Sequence, residues 1–309
     1  EEGVYTVLSW IDGVNAEEII SAQSDTEQYI YGLESGRILR KIHSIPAPAT
    51  QEDWESRFNR KMDDKIRKYD ECPVNYENGQ AFIDYMNENR HLLKGRPQVY
   101  QHGDYHIGNM MIDRKGQLYI IDFNRNDYGD PWEEFNRIVW CAQRSPLFAS
   151  GMVNGYFDGD VPLKFWKLLA LYISSNTLSS ICWAIPFGQT EVDTMLNQAR
   201  EVLSWCNNMR NPIPAWYFKG YYLQYADGVP FKLKRAFDFS FLSEYGTVFK
   251  VFDGQDSGNI CFGTKKDGQR YFIKFAGAPA EQYTGEPADA IARLKMTLPI
   301  YRELKHENL

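Results

Sequence analysis

Between Thr26 and His43 the apolar positions Tyr29, Leu33, Leu39 and Ile42 recur at three- and four-residue steps, with Gly36 adding a small one. That spacing predicts a helix, which Pro46 and Pro48 stop. Upstream, residues 4–11 form a β-branched and aromatic run closed by Asp12-Gly13, the pattern of a strand and its turn. Residues 51–70 are charged with sparse apolar positions and predict an exposed helix. A short strand is expected over 97–101, running into the polar loop that holds His102, Gly103 and Asp104. Two further strands are expected at 110–113 and 118–123, the second of them buried. Asp130-Pro131-Trp132-Glu133 reads as a helix start, with Asp at the N-cap, Pro at the first helical position and Glu placed for a capping box. Residues 163–183 and 192–209 add two apolar helices.

Asn211-Pro212-Ile213-Pro214 breaks the helical run and marks a boundary. Beyond it the pattern changes to strands at 248–252, 259–264 and 270–275, with Asp267-Gly268 as a hairpin turn between the last two. A helix over 287–304 follows. The expected class is α+β in two domains. Residues 1–212 would be a strand plus a helical body, and 213–309 a linker and a β-rich segment.

Composition narrows the function. Apolar residues make up 43% of the 309 and charged residues 24%, enough for a sizeable core, so disordered and low-complexity classes are excluded. Lys and Arg number 34 against 41 Asp and Glu, a formal charge of −7. The basic footprint of a nucleic-acid binder is missing. Mild acidity suits a cationic small-molecule substrate. The densest apolar run, 165–173, is broken by Lys167, so no membrane span is expected. Five cysteines at scattered spacings, with no CxxC pair, predict reduced thiols and a cytoplasmic protein rather than a disulfide framework or zinc site. The opening Glu1-Glu2-Gly3 has no initiator Met and no leader pattern, and reads as a strand entered mid-domain.

The chemistry concentrates in His102-Gly103-Asp104-Tyr105-His106-Ile107-Gly108-Asn109, followed thirteen residues after the Asn by Asp122. A loop Asp can orient or deprotonate a hydroxyl nucleophile. An Asn five residues on and an Asp at the end of the next strand can hold Mg2+ on triphosphate oxygens. His102 reads as a prop for the loop rather than a proton carrier.

These motifs resemble the aminoglycoside phosphotransferase and choline kinase-like family, relatives of the protein kinases. The likeness covers about residues 4–206, and 36–43 and Gly129-Asp130-Pro131 also look like family features. The resemblance implies a two-lobed protein kinase-like fold and an ATP- and Mg2+-dependent kinase. Asp104 would be the catalytic base, Asn109 and Asp122 the metal ligands, and Trp10 part of the hinge that contacts adenine. An aminoglycoside-like acceptor is expected ahead of choline. Asp12, Glu17, Glu18, Asp127, Asp130, Glu133 and Glu134 are the candidate acidic groups at the cleft mouth. Trp132, Trp140 and Trp183 are a candidate aromatic wall.

The last ninety residues resemble a protein kinase small lobe. The segment from Gly254 to Gly258 is similar to a glycine-rich phosphate loop, one residue short and with Asp256 in place of the middle glycine. Lys274, on the next strand but one, stands where the kinase lysine belongs. Residues 304–309 look like the end of the first-lobe helix, and counting back places the family's helix Glu on Thr297. The lobes therefore stand in reverse order. A circular permutation, a homodimer that exchanges lobes, and a join of two kinase-like proteins all remain open. A protein kinase, or a pseudokinase that binds nucleotide with little activity, is the alternative reading.

Overall fold

The computed structural model describes residues 3, 5–220, 222–234, 236–278, 283 and 285–303. It divides into two compact units, Glu1–Lys219 and Gly220–Leu309.

In the first unit β1 (Gly13–Asn15), β3 (Met110–Asp113) and β4 (Leu118–Ile120) form a small antiparallel sheet in the order β1-β3-β4. A second pair joins β2 (Val99–Gln101) to β5 (Asp127–Gly129). Around them stand α1 (Ala16–Ile19), α2 (Asp25–Ile42), α3 (Trp54–Asp70), α4 (Gln80–Asn89), α5 (Ile138–Arg144), α6 (Pro146–Phe157), α7 (Leu163–Ala184) and α8 (Gln189–Trp205).

Local chemistry explains several of these. Ser24 starts α2 with a capping box, its Oγ accepting from the Glu27 N–H while Glu27 accepts from the Ser24 N–H. Trp54, Phe58, Met62 and Tyr69 give α3 one buried face along an otherwise charged helix. The α2–α6 crossing is a backbone-to-backbone contact. A Cβ on Gly32 or Gly36 would overlap the Phe148 or Met152 carbonyl, and one on Gly151 or Gly155 the Tyr29 or Leu33 carbonyl. Glycine at four positions, two per helix, is what lets the axes come so close. By length and composition α7 with the turn after it could cross a membrane, yet it is the central core helix, with Phe165, Trp166, Leu169 and Tyr172 buried. The unit extends to Lys219 because Trp216 and Tyr217 pack on Trp166 and the Phe218 N–H donates to Ser150 Oγ.

Three expectations fail here. The buried strand expected over 118–123 ends at Ile120, with Tyr119 exposed and Asp122 two residues beyond it. Residues 5–12 form no strand; the pairing begins only at Gly13. Tyr5, Val7, Leu8 and Trp10 are all exposed, because among the described residues no neighbouring strand takes up their backbone groups. The helix start at Asp130 is also displaced. Residues 131–132 make a turn, a 3-10 helix spans Glu133–Arg137, and α5 follows. Asp130 does accept from the Trp132 N–H, but its carboxylate is drawn into the core by Arg96, which it binds through Nε at 2.6 Å and Nη2 at 2.8 Å.

The second unit has a hairpin, β6 (Tyr222–Ala226) with β7 (Val229–Leu233), and a sheet of β8 (Thr247–Phe252), β9 (Asn259–Lys266) and β10 (Gln269–Ala276) in the order β10-β9-β8. Asp267 and Gly268 turn β9 into β10 with φ of 50° and 82°, as the Asp-Gly signal requires. The helix α9 (Pro287–Glu303) closes the described chain, and residues 304–309 lie outside the described residues. Phe231, Leu233, Leu242, Ile260 and Phe262 form this unit's own core, with Phe239 and Phe275 packed against it.

Candidate active site

The loop from His102 to Asn109 joins β2 to β3, and the strands fix only its ends. Side chains hold its interior, three of them around Asp104. Glu134, buried in the 3-10 helix, accepts the His102 N–H at 2.6 Å and the Gly103 N–H at 2.9 Å. His102 accepts the Asp104 N–H at Nδ1 (3.2 Å), so its Nε2 carries the proton and donates to the Ile121 carbonyl at 2.9 Å. Asn109 donates from Nδ2 to the Asp104 carbonyl at 2.9 Å, which leaves its Oδ1 as an acceptor.

Ile121 is the junction of the site. Its N–H donates to the Asn109 carbonyl at 3.0 Å and its carbonyl takes the His102 ring. The residue after it is Asp122, whose backbone lies in the left-handed region at φ 64°. Two hydrogen bonds on one peptide neighbour thus tie the loop of Asp104 and Asn109 to Asp122. Gly103 is glycine for a related reason: its φ is 87°, and the Arg125 carbonyl occupies the place of a Cβ.

Asp104 and Asp122 open onto different cavities. Asp104 lines one of about 500 Å3 together with His106, Arg125 and Arg137. The rest of that wall comes from Glu17 of α1, Trp140 of α5, Asn176, Ser179, Ser180 and Trp183 of α7, and Glu191 and Met195 of α8. Asp122 lines a second cavity of about 1060 Å3 with Phe123, Asn124 and the extended segment that carries Trp10, itself 91% exposed.

Asp104 is half-buried between cations. Arg137 Nε lies 3.0 Å from its Oδ1 and Arg125 Nη1 lies 3.6 Å from its Oδ2. His106 Nε2 is 3.8 Å from Oδ1, and its Nδ1 accepts the Gly108 N–H. Burial pushes the His106 imidazole below its ordinary range and Arg137 pushes the same way, against an upward pull from Asp104.

Among the described residues no group of three His, Cys, Asp or Glu could hold a metal ion. One carboxylate and one amide oxygen are nevertheless the donor set from which Mg2+ is completed by phosphate oxygens and water. Asp122 meets that need, being exposed and, among the described residues, without an ion-pair or hydrogen-bond partner for its carboxylate.

Most of the acidic groups expected at the cleft mouth lie elsewhere. Asp130 is buried on Arg96 and Tyr172, Glu134 braces the loop, Asp127 pairs with Arg57, and Glu133 with Lys61 and Gln101. Of that set only Glu17 lines the Asp104 cavity, itself paired with Arg144 at 2.9 Å. Trp140 and Trp183 do line it, whereas Trp132 is stacked under the Arg96 guanidinium at 3.7 Å. Arg125, Arg137 and Glu191 had no motif to betray them; only the fold brings them to the cavity.

In the second unit Gly254 and Gly258 lie in the β8–β9 connection, and Lys274 is exposed on β10 opposite Cys261. Around Gly254 there is open space. Gly258 has φ 75°, and a Cβ there would strike Tyr283 and Ala290, so local packing already accounts for this glycine. Among the described residues Lys274 has no carboxylate partner, and Thr297, the position reached by counting back along α9, donates its hydroxyl to the Leu294 carbonyl.

The chain belongs to the phosphotransferase enzyme family, which it matches over residues 1–166. It is similar to a choline/ethanolamine kinase family protein from Mesorhizobium loti, at 15% identity over 65% of this chain and 70% of that one, with a TM-score of 0.49. The gentamicin complex of APH(2")-IIa is similar at 15% identity over 62% and 69%, TM-score 0.43. The choline kinase LicA from Streptococcus pneumoniae is similar at 15% identity over 63% and 69%, TM-score 0.42. No curated protein sequence matches. The protein is a phosphotransferase, and its fold is α+β.

Proposed function

We propose that the protein transfers the γ-phosphoryl group of ATP to a hydroxyl of a small, amine-bearing acceptor. The observation that carries this reading is the division of the site. Asp104 faces one cavity, Asp122 faces another, and Ile121 ties the two together. Asp104 takes the proton of the acceptor hydroxyl as that oxygen attacks phosphorus; the bond to the bridging oxygen breaks and ADP leaves. Asn109 Oδ1 and the Asp122 carboxylate are the groups that would hold Mg2+, whose charge neutralises the phosphate oxygens when it is bound. Trp10 forms the wall of the nucleotide-side cavity. In the second unit, taken by itself, Lys274 and the Gly254–Gly258 connection are that unit's proposed phosphate-binding groups, with Gly254 the open position.

On the acceptor side Glu17 and Glu191 supply negative charge for an amine, as in an aminoglycoside-like molecule. Trp140 and Trp183 favour a second reading, a choline-type quaternary ammonium. The test is ADP release from Mg2+-ATP with aminoglycosides, choline, polyamines, neutral sugars and a general protein substrate. Asp104→Asn should lower kcat by about 10²–10⁴-fold with the productive acceptor. Unchanged turnover in that variant would remove Asp104 from the reaction.

A further inference from the structure

The acceptor-side cavity holds more cationic donors than its single bridging carboxylate can satisfy. Arg125 and Arg137 both approach Asp104, and each guanidinium carries five N–H donors. Among the described residues neither makes a hydrogen bond through its side chain. The Arg137 contact is an ion pair off the hydrogen-bonding line, because Asp104 Oδ1 is buried with no hydrogen-bond partner. Arg125 is 63% exposed and free to swing, whereas Arg137 is 26% exposed and held in the wall. No Arg137 nitrogen is both buried and unpaired, so its unused donors are open to the cavity, where a ligand's oxygens can take the place of water. Its planar fork fits a carboxylate or phosphate.

From this geometry we infer that Arg137 is a specificity residue that binds an anionic oxygen group on the acceptor, so that the substrate is a hydroxyl compound bearing a carboxylate or phosphate as well as its amine. The inference rests on the phosphotransfer reading above and narrows it away from purely cationic acceptors. Arg137 lines the Asp104 cavity and not the Asp122 cavity, which points to the acceptor rather than the nucleotide as the source of the anion. Drawing Arg137 onto that anion also releases Asp104 to receive the hydroxyl proton.

The test uses probe pairs with and without a carboxylate: homoserine against 3-amino-1-propanol, which has hydrogen in its place, and gluconate against sorbitol, which has a hydroxymethyl group there. Binding to the full chain is followed by tryptophan fluorescence, since Trp140 and Trp183 line the cavity. The carboxylate member of each pair should bind about tenfold more tightly, and Arg137→Gln should reduce that ratio to less than about threefold. Arg137→Lys should keep part of it, and high salt should shrink it in the unsubstituted protein even if Arg137→Gln fails to fold. Asp104→Asn should tighten carboxylate binding by removing the competing anion, while it lowers kcat by about 10²–10⁴-fold. Unchanged turnover in Asp104→Asn would therefore strike the functional reading alone. Equal binding within each pair, no binding of either carboxylate, or a ratio that survives Arg137→Gln overturns the inference. So does a weakened affinity for Mg2+-ATP with the ratio intact, which would give the guanidinium to the nucleotide.

Discussion

Glu134 Oε2 accepts the backbone N–H of His102 at 2.6 Å, and its other oxygen takes the next N–H along the chain, that of Gly103, at 2.9 Å. One buried carboxylate thereby sets the direction of the peptide that leads into Asp104. The same short helix sends Arg137 to Asp104 and Glu133 to Gln101, so the turn after β5 is the support of the loop. Glu134→Ala should leave the buried His102 N–H and the half-buried Gly103 N–H unpaired and cost about 2–4 kcal/mol, read as a shift of the urea midpoint. Glu134→Gln keeps one acceptor and should lose less stability. In both, kcat should fall more than KM rises, because the loop's aim is lost rather than the cavity. A Glu134→Ala protein with unchanged stability and kcat would refute this account.

The contact between α2 and α6 gives a second prediction. Gly36 and Gly151 admit no Cβ without the two helices separating, because the obstacles are backbone carbonyls that cannot rotate away. Gly36→Ala and Gly151→Ala should each destabilise by about 1–3 kcal/mol or more, despite alanine's better helix propensity. Replacing Gly159 with alanine meets open space and tests only its φ of 84°. A smaller loss at Gly36 than at Gly159 in chemical unfolding would show that the crossing adapts.

Asp122 leads to a third. Its carboxylate has no protein partner among the described residues, and its backbone is held in an uncommon conformation, the combination found where strain serves a ligand. Mg2+-ATP should raise the melting temperature of the protein, and EDTA or Asp122→Asn should remove most of that gain. Asp122→Asn alone, without nucleotide, should change stability by less than about 1 kcal/mol, because asparagine tolerates the left-handed region. A full Mg2+-ATP shift in Asp122→Asn would place the metal elsewhere.

Much of this fold was legible because its signals are local. The Ser24 capping box, the periodic face of α2, the Asp267-Gly268 turn and the loop from His102 to Asn109 each need only a few adjacent residues. The errors share a different cause. Residues 4–11 have strand propensity, but a strand exists only with a partner, and propensity does not supply one. Asp130, Glu133 and Glu134 look like surface charge in sequence. Their burial depends on Arg96, Lys61 and two loop N–H groups that lie about 30 or more residues away. Arg137 joins the site for the same reason, through a contact no spacing rule could anticipate.

Lys65 supplies the last prediction. It lies on α3 behind the loop support, with its Nζ donating to the Ser175 carbonyl at 3.1 Å. Burial pushes its ammonium down to about 7, Lys61 and Arg137 add to the fall, and Glu133 opposes it. In the unfolded chain the same group titrates near its ordinary value of about 10.4. Between those two values the unfolded state binds more protons than the native one, so this residue makes stability rise with pH across that window. Below pH 7 both states are protonated and the full penalty of holding the ammonium in the fold remains. Above about pH 10.4 both are neutral and the penalty is gone. Lys65→Met should therefore stabilise the protein by about 1–2 kcal/mol at neutral pH, a figure kept small because the side chain is only half-buried and its bond to Ser175 is lost. Urea midpoints of the two proteins, taken from pH 6 to pH 10, should converge as pH rises. Curves that stay parallel, or diverge toward high pH, would mean that Lys65 is not the group being desolvated.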